Sequence, residues 1–244
     1  MVYKEFQPHP ALTPCIDAYW TVTGDLRELK SEKIFPDGCI DLIFNLGTAC
    51  KTDNGNFTMQ PEKIYLVGTM TGFKKVEMVS ETKLLGVRFK PAAFPFFYKF
   101  SSLHEITDVT IEFEKKLSPD LQKTVRYSAS YLDDFFIKRL STPKNILLPV
   151  IADLQHHKGR MDVSALAEKH CMTIRELQRR FKQQIGIGPK EFSNITRYQF
   201  AHAIIQNGVS NRSLLDIAFE CGYYDHSHLT NEFKRFTGIV PSEF

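Results

Sequence analysis

The sequence lacks clustered cysteines, long apolar runs and an apolar leader. Its five cysteines are scattered and odd in number, and no two form a C-x-x-C pair, so neither a disulfide framework nor a zinc site is indicated. No stretch approaches the roughly 18 uncharged apolar residues of a transmembrane helix, and the residues after Met1 lack the apolar core of a secretory signal. We therefore expect a cytoplasmic globular protein with reduced thiols and no membrane partner.

The excess of positive over negative charge is also small. The 244-residue chain carries a net charge of only +3, so its bulk charge does not indicate a nucleic-acid-binding protein. The segment from Gly159 onward has 11 basic and 9 acidic side chains, which leaves a net charge of +2. If this part of the chain binds DNA, its positive charge must be concentrated on one face.

Motifs for catalysis are missing as well. No Ser-His-Asp order, glycine-rich phosphate loop or paired acid–base motif stands out, so no catalytic residue, cofactor or enzymatic activity is predicted. A metal-dependent barrel enzyme needs two or three histidines and a carboxylate that converge, but the part before residue 118 has only His9 and His104. His226 and His228 are two residues apart, which places them on different faces of a helix, so no metal is expected there.

Residues 1 to about 115 contain short apolar runs separated by Gly, Pro, Asn and Asp. The runs 39–44, 64–67 and 84–89 have the length and β-branched content of strands. The sequence Asp-Asn-Gly-Asn at 53–56 is a turn signal and is expected to close a hairpin. Short strands with this spacing predict a barrel or a sandwich.

A helical pattern begins at Pro119. Apolar residues recur at helical spacing up to 140, a break is expected at 141–145 around Pro143, and a second helix is expected from Ile146 to about His156. The apolar face of the first helix either forms a dimer contact or packs on the barrel of its own chain. Its members are Leu121, Val125, Leu132, Phe135, Phe136 and Leu140.

The C-terminal part contains two helix-turn-helix patterns. In the first, Asp162 caps a helix with an apolar face, and Thr173 and Glu176 predict a capping box at the start of the next helix. That second helix has Leu177 and Phe181 facing inward, and Gly186 ends it. Its outer face carries Arg175, Gln178, Arg179 and Lys182.

The second pattern repeats the first. Ser213 and Asp216 form another box-like start, and Asp225 is expected to cap the last helix. Five pairs of residues share an offset of 52 positions, which marks an internal repeat. These pairs are Leu177 with Leu229, Phe181 with Phe233, Lys182 with Lys234, Gly186 with Gly238, and Pro189 with Pro241. Between the two patterns, a helix is expected from Pro189 to the stop signal at Asn207-Gly208.

The segment from about Gly159 to Phe244 resembles the DNA-binding domain of the AraC/XylS family of bacterial regulators. The residues that carry this resemblance are Leu166-Ala167, Leu177-x-x-x-Phe181-Lys182, Gly186-x-x-Pro189, Arg197-x-x-x-Ala201, Ile217-Ala218, Cys221-Gly222-Tyr223-Tyr224-Asp225, Phe233-Lys234-x-x-x-x-Gly238 and Pro241. In that family the second helix of each unit reads bases. The resemblance therefore implies DNA contacts by Ile174, Arg175, Gln178, Arg179, Lys182, His226, Ser227, Thr230, Asn231 and Lys234. Where the family often has arginine, this sequence has Asn231, which has less reach and no charge.

The N-terminal part resembles, over roughly residues 5–115, the cupin-like β-barrel of a subgroup of AraC-like regulators. The runs 35–44 and 86–91 and the pair Tyr19-Trp20 carry this second resemblance. Asp41 and Arg88 stand inside apolar strand-like runs. They either point inward, where they pair or bind a polar ligand with Trp20 as a wall, or alternate outward as surface residues.

The sequence thus predicts an α+β protein with a cupin-like sensor or dimerisation barrel (1–117), a helical linker or dimerisation segment (118–158) and a double helix-turn-helix domain (159–244). We expect a transcription regulator that binds double-stranded DNA, responds to a small-molecule effector, dimerises with a second copy and contacts RNA polymerase. One alternative is that the N-terminal domain only dimerises. Another is an enzyme, such as a DNA alkyl-repair protein, fused to a DNA-binding module; it would need an activated cysteine.

Overall fold

A computed structural model describes residues 2–24, 30–141, 145–207 and 212–243. The predicted helix break at Pro143 and the predicted stop at Gly208 lie outside these residues. Within them, no helix is long and apolar enough to cross a membrane.

The N-terminal domain consists of two antiparallel sheets. One has the strand order β1-β2-β9-β4-β7-β10 and the other has the order β3-β8-β5-β6. The strands are β1 (Val2–Phe6), β2 (Ile16–Thr23), β3 (Lys30–Ile34), β4 (Ile40–Asn45), β5 (Cys50–Thr52), β6 (Phe57–Met59), β7 (Ile64–Val67), β8 (Lys74–Met78), β9 (Lys83–Phe89) and β10 (Thr110–Glu112). The predicted β-rich fold is confirmed, but in the described residues the sheets stay separate and do not close into a barrel.

The predicted strands and hairpin are confirmed, and both faces of the large sheet are covered. The runs 39–44, 64–67 and 84–89 correspond to β4, β7 and β9, and residues 53–56 connect β5 to its antiparallel partner β6. In β2, Tyr19 packs in the cluster under the helical segment, whereas its neighbour Trp20 packs between the two sheets. Because successive strand residues point to opposite faces, a sheet covered on both sides gives continuous apolar runs.

The segment 118–158 is divided between the cores of the two domains. Helix α1 (Leu121–Arg139) buries Leu132 and Phe136 in the N-terminal core, so most of its apolar face packs on its own chain. Val125 is the exception and is 48% exposed. Helix α2 (Leu147–His156) instead belongs to the C-terminal core. The domain limits 1–117, 118–158 and 159–244 are therefore a proposal.

The C-terminal domain is all helical. It contains α3 (Val163–Lys169), α4 (Ile174–Gln184), α5 (Pro189–Gln206), α6 (Leu214–Glu220) and α7 (His226–Thr237). The predicted caps Asp162, Thr173, Ser213 and Asp225 each accept a backbone N–H near the start of their helix.

Only one of the two predicted capping boxes is complete. Ser213 and Asp216 bond reciprocally, as predicted. At α4, Thr173 accepts the amide of Glu176, but the carboxylate of Glu176 binds Arg180 one turn later instead of the cap amide. The i, i+4 ion pair with Arg180 thus replaces the return bond of the box.

The two domains are in direct contact. The loop before β4 places Gly38 against α5, where a Cβ on Gly38 would lie 2.8 Å from the ring of Phe192. Residues 157–160 form a hydrogen-bonded turn, and a Cβ on Gly159 would lie 2.2 Å from the Ser193 carbonyl oxygen. This turn is therefore packed closely against α5.

Gly86 of β9 provides a test of the packing between the sheets. It lies opposite Trp20 in β2, and a Cβ at this position would be 2.0 Å from the indole ring. We expect Gly86→Ala to displace Trp20 and to lower the free energy of unfolding by about 1–3 kcal/mol. The matched control is Gly72→Ala, because its Cβ would meet only the Arg235 carbonyl oxygen at 3.7 Å. Equal urea midpoints for the two variants would contradict this packing.

Candidate nucleic-acid interface and an adjoining cavity

Helix α4 presents a polar face to solvent. Leu177 and Phe181 are fully buried in the C-terminal core. The remaining face is exposed, as the sequence predicts, and consists of Ile174, Arg175, Gln178, Arg179 and Lys182. This arrangement leaves guanidinium and amide groups free to contact another molecule.

Helix α7 has the equivalent arrangement with different chemistry. Leu229, Phe233 and Phe236 are fully buried. His226, Ser227, Asn231 and Lys234 are exposed. Thr230 is half-buried, and its hydroxyl donates to the His226 carbonyl oxygen at 2.8 Å, so it can offer only acceptor capacity to a partner.

The two exposed faces differ in unpaired charge. Among the described residues, no carboxylate lies within 4 Å of Arg175, Arg179 or Lys182 on α4. On α7 only Lys234 is similarly unpaired, because Arg235 binds Glu191 of α5. The first unit therefore concentrates the positive charge that the overall composition does not show.

Helix α5 holds the two units together. The rings of Phe181 and Phe192 are 5.9 Å apart between α4 and α5, and those of Tyr198 and Phe233 are 5.6 Å apart between α5 and α7. The buried Arg197 donates to the Gly222 carbonyl oxygen at 3.1 Å and so fixes the turn between α6 and α7. The resemblance identified Arg197 by position, and the structure gives it this positioning role.

A cavity of about 190 Å³ lies between the two sheets of the N-terminal domain. Trp20, Asp41 and Arg88 are spread over 68 positions of the sequence, yet they line this cavity together. Most of the wall is apolar and includes Val22, Ile43, Met59, Val67, Met70, Val76, Met78 and Leu84. Of the two alternatives for Asp41 and Arg88, the structure favours the inward one.

The polar groups of the cavity form a connected cluster. The indole Nε1 of Trp20 donates to Asp41 Oδ1 at 2.7 Å, and Arg88 Nε lies 3.7 Å from the same oxygen. Arg88 also lies 3.4 Å from Asp37 Oδ2 and 3.3 Å from Glu5 Oε1. Arg88 therefore neutralises several carboxylates at the rim and wall of the cavity.

Burial raises the pKa of Asp41 to about 6, and the neighbouring Asp37 adds to this effect while Arg88 opposes it. The pKa of Asp37 is raised as well, again mainly by burial. The two carboxyls share one guanidinium and titrate as a pair.

Sequence reasoning missed Lys33, which also lines the cavity. Its Nζ donates at 3.0 Å to the carbonyl oxygen of Thr237, the last residue of α7. Among the described residues no carboxylate lies within 4 Å of Lys33. Nothing in the sequence distinguishes it from the other 30 lysine and arginine residues, because the contact joins positions 204 residues apart.

The raised pKa of Asp41 predicts a pH dependence of stability. A carboxyl whose pKa is higher in the folded chain than in the unfolded chain stabilises the fold below its unfolded pKa of about 3.9, and this contribution is lost as the pH rises through about 6. We therefore expect the stability of the wild type relative to Asp41→Asn to fall between pH 4 and pH 7 in urea titrations. Asp134→Asn, which removes an exposed carboxylate, is the control. A difference in stability between the wild type and Asp41→Asn that does not change with pH would contradict the expectation.

Comparison with known proteins agrees with this geometry. Residues 166–244 match the model of a helix-turn-helix domain family, and residues 4–112 match a domain family of unknown function. The HTH-type transcriptional activator RhaS of Escherichia coli is 33% identical over 99 residues, which are 41% of this chain and 34% of RhaS. The match thus spans about a third of that relative's length.

Solved structures show the same two-domain fold. ToxT from Vibrio cholerae has a TM-score of 0.54 at 12% identity, covering 92% of this chain and 97% of ToxT. A structure of ToxT with bound unsaturated fatty acid has a TM-score of 0.51 at 14% identity, covering 92% of this chain and 94% of that one. The C-terminal matches support the resemblance of residues 159–244 to the AraC/XylS family, and ToxT shares the fold of this chain.

Proposed function

We propose that the protein is a cytoplasmic transcription regulator that binds specific DNA sequences and reads two successive major grooves with α4 and α7. The observation that carries this proposal is the pair of exposed polar helix faces held on α5. An α-helix fits the major groove of B-DNA, and the 18-residue α5 is about 27 Å long. Major grooves on one side of the duplex recur about every 34 Å, so a connector of this length suits two adjacent grooves.

The side chains suggest a division of work between the two helices. Arg175 and Arg179 can bind guanine with two hydrogen bonds, Gln178 and Asn231 can bind adenine in the same manner, and lysines bind phosphates. Because α4 carries three unpaired cations, the first unit contributes more of the affinity than α7 does.

The cavity supports a ligand-responsive regulator over one whose N-terminal domain only dimerises. ToxT structures contain an unsaturated fatty acid and a naphthalenyl butenoic acid, which are both apolar carboxylic acids. In this chain the apolar walls and the cation Lys33 suit the same chemistry. The cavity is smaller than the roughly 300–1,000 Å³ of usual ligand sites, which favours a short or compact acid.

Ligand binding can be coupled to DNA binding through Lys33. A carboxylate in the cavity would compete with the Thr237 carbonyl oxygen for its ammonium group, and this contact lies at the end of α7. Such a ligand shifts the balance between two arrangements of α7 only to the extent that it binds them unequally.

Two further parts of the proposal concern partners. The exposed Val125 and Ile137 of α1 offer two separate apolar contacts for a second copy of the chain. The DNA-bound regulator would contact RNA polymerase at the promoter.

Four of the five thiols disfavour an enzyme that uses a reactive cysteine. Burial raises the pKa of Cys15, Cys39, Cys50 and Cys221, to about 11 for the last two. An activated thiol nucleophile requires the opposite shift.

The proposed division of work predicts unequal effects of substitutions. Arg175→Ala and Arg179→Ala should each weaken binding to a selected DNA site by about 1–3 kcal/mol and relax base preference at the contacted position. Asn231→Ala should weaken binding by less than either arginine substitution does. Lys123→Ala, which removes an exposed charge on α1, controls for net charge.

Fluorescence anisotropy titrations at fixed salt check these values. Unchanged binding for both arginine variants would contradict the assignment of α4 as a base-reading helix.

Trp20 provides a direct readout of the cavity, because it is the single tryptophan of the chain. Octanoate should change its emission saturably and should also change the affinity for DNA. Lys33→Met should weaken octanoate binding roughly tenfold, by loss of one charge-assisted contact. Octylamine and 1-octanol are the matched ligands without a carboxylate, and no saturable change with octanoate would count against a carboxylic-acid effector.

A further inference from the structure

The C-terminal end of α4 is capped by side chains of the other domain. The hydroxyl of Thr69 donates to the Ile185 carbonyl oxygen at 2.5 Å, and the hydroxyl of Thr107 donates to the Gly186 carbonyl oxygen at 2.7 Å. His104 Nδ1 lies 2.7 Å from the Gly186 oxygen. A carbonyl can only accept, so His104 carries its proton on Nδ1 in this contact.

These contacts add to the local turn at the end of α4, in which the amides of Ile185 and Gly186 both donate to the Phe181 carbonyl oxygen. The last carbonyls of an α-helix have no partner inside the helix and are satisfied by local turns, side chains or water. Here the donors are 79 to 116 positions away in sequence. The approach is close, because a Cβ on Gly186 would lie 3.0 Å from Thr107 Oγ1 and 3.1 Å from the Leu103 carbonyl oxygen.

The end of α7 rests on the same domain. Lys33 donates to the Thr237 carbonyl oxygen, and a Cβ on Gly238 would lie 2.7 Å from the ring of Phe73. Both proposed recognition helices therefore end on one β-sheet domain, although they belong to different helix-turn-helix units.

We propose that Thr69, His104 and Thr107 are positioning residues that fix α4 relative to α7 and thereby determine which separation of half-sites in DNA the protein accepts. This inference rests on the proposed DNA-binding function. Apolar packing on α5 holds the inner faces of both helices, but it is non-directional. Hydrogen bonds to helix-end carbonyls depend on angle, so they restrict rotation and sliding of α4.

The restriction matters because DNA spacing is coupled to rotation. One inserted base pair moves a half-site by about 3.4 Å and turns it by about 35° around the duplex. A rigid pair of recognition helices must then lose contacts at one half-site. A pair with a free α4 end can follow the displaced half-site.

The experiment uses the full-length protein and a duplex that the wild type selects from a random library. Affinity is measured for this duplex, for the same duplex with one or two base pairs inserted between the half-sites, and for a duplex with only the first half-site intact. The test variant is Thr69→Val/Thr107→Val, which keeps the volume and removes both hydroxyls. Thr69→Ser/Thr107→Ser restores the hydroxyls, and His104→Ala tests the exposed donor separately.

We expect the Val variant to reduce the preference for the selected spacing by roughly five- to tenfold for each hydrogen bond lost. Its affinity for the single half-site should stay unchanged, and the Ser variant should behave as the wild type does. His104→Ala should reduce the preference by a smaller factor. If the Val variant does not fold, His104→Ala decides the question alone.

Two results would overturn the inference while leaving the proposed function intact. One is an unchanged spacing preference in folded variants that lack the donors. The other is an equal loss in the Val and Ser variants, which would attribute the effect to side-chain packing. If the wild type selects no sequence with two half-sites, the proposed function itself fails, and the inference fails with it.

Discussion

The apolar contact of α5 with both of its neighbours is the constraint on which the rest of the C-terminal structure depends. Phe181 from α4 and Phe233 from α7 are fully buried in one cluster with Phe192 and Tyr198 of α5. Burial of aromatic side chains of this size contributes about 1.5–3 kcal/mol each, and their close packing leaves few alternative arrangements. The polar faces of α4 and α7 are exposed as a consequence, because the opposite faces are used in the core.

The contact between the domains gives this arrangement a second support. The N-terminal domain approaches the helices at Gly38, at Ala92 and at the carbonyl ends of α4 and α7. Lys33 belongs to both the cavity between the sheets and the contact with α7. A change in the cavity therefore has a short physical route to the proposed DNA-binding face, through the side chain of Lys33.

The repeat of capped helices could be predicted from sequence because its signals are local. The offset of 52 residues, the N-caps and the Leu/Phe spacing depend on residues within one or two helical turns of each other. The half-formed box at Thr173 shows the limit of this reasoning, since Glu176 had a competing partner in Arg180. In the N-terminal domain, Asp41 and Arg88 attracted attention as charges within apolar runs, but only the sheet register shows that they are directly paired across β4 and β9.

The long-range polar contacts could not be predicted. Pro36-Asp37-Gly38 reads as a turn, and nothing local shows that Gly38 touches Phe192 in the other domain. The same holds for Thr69 and Thr107, which resemble ordinary loop threonines in the sequence. Hydrogen bonds between residues 79 or more positions apart depend on how the two domains are placed relative to each other. The periodicity of residues within one helix or strand carries no information on that placement.

The central claim is that one chain places two recognition helices in adjacent major grooves. Hydroxyl-radical footprinting of the full-length protein on a selected duplex tests it most directly. The account predicts two protected regions about one helical turn apart on the same side of the duplex, of which the one at α4 weakens in Arg175→Ala. A single protected region, or uniform protection without sequence preference, would contradict it.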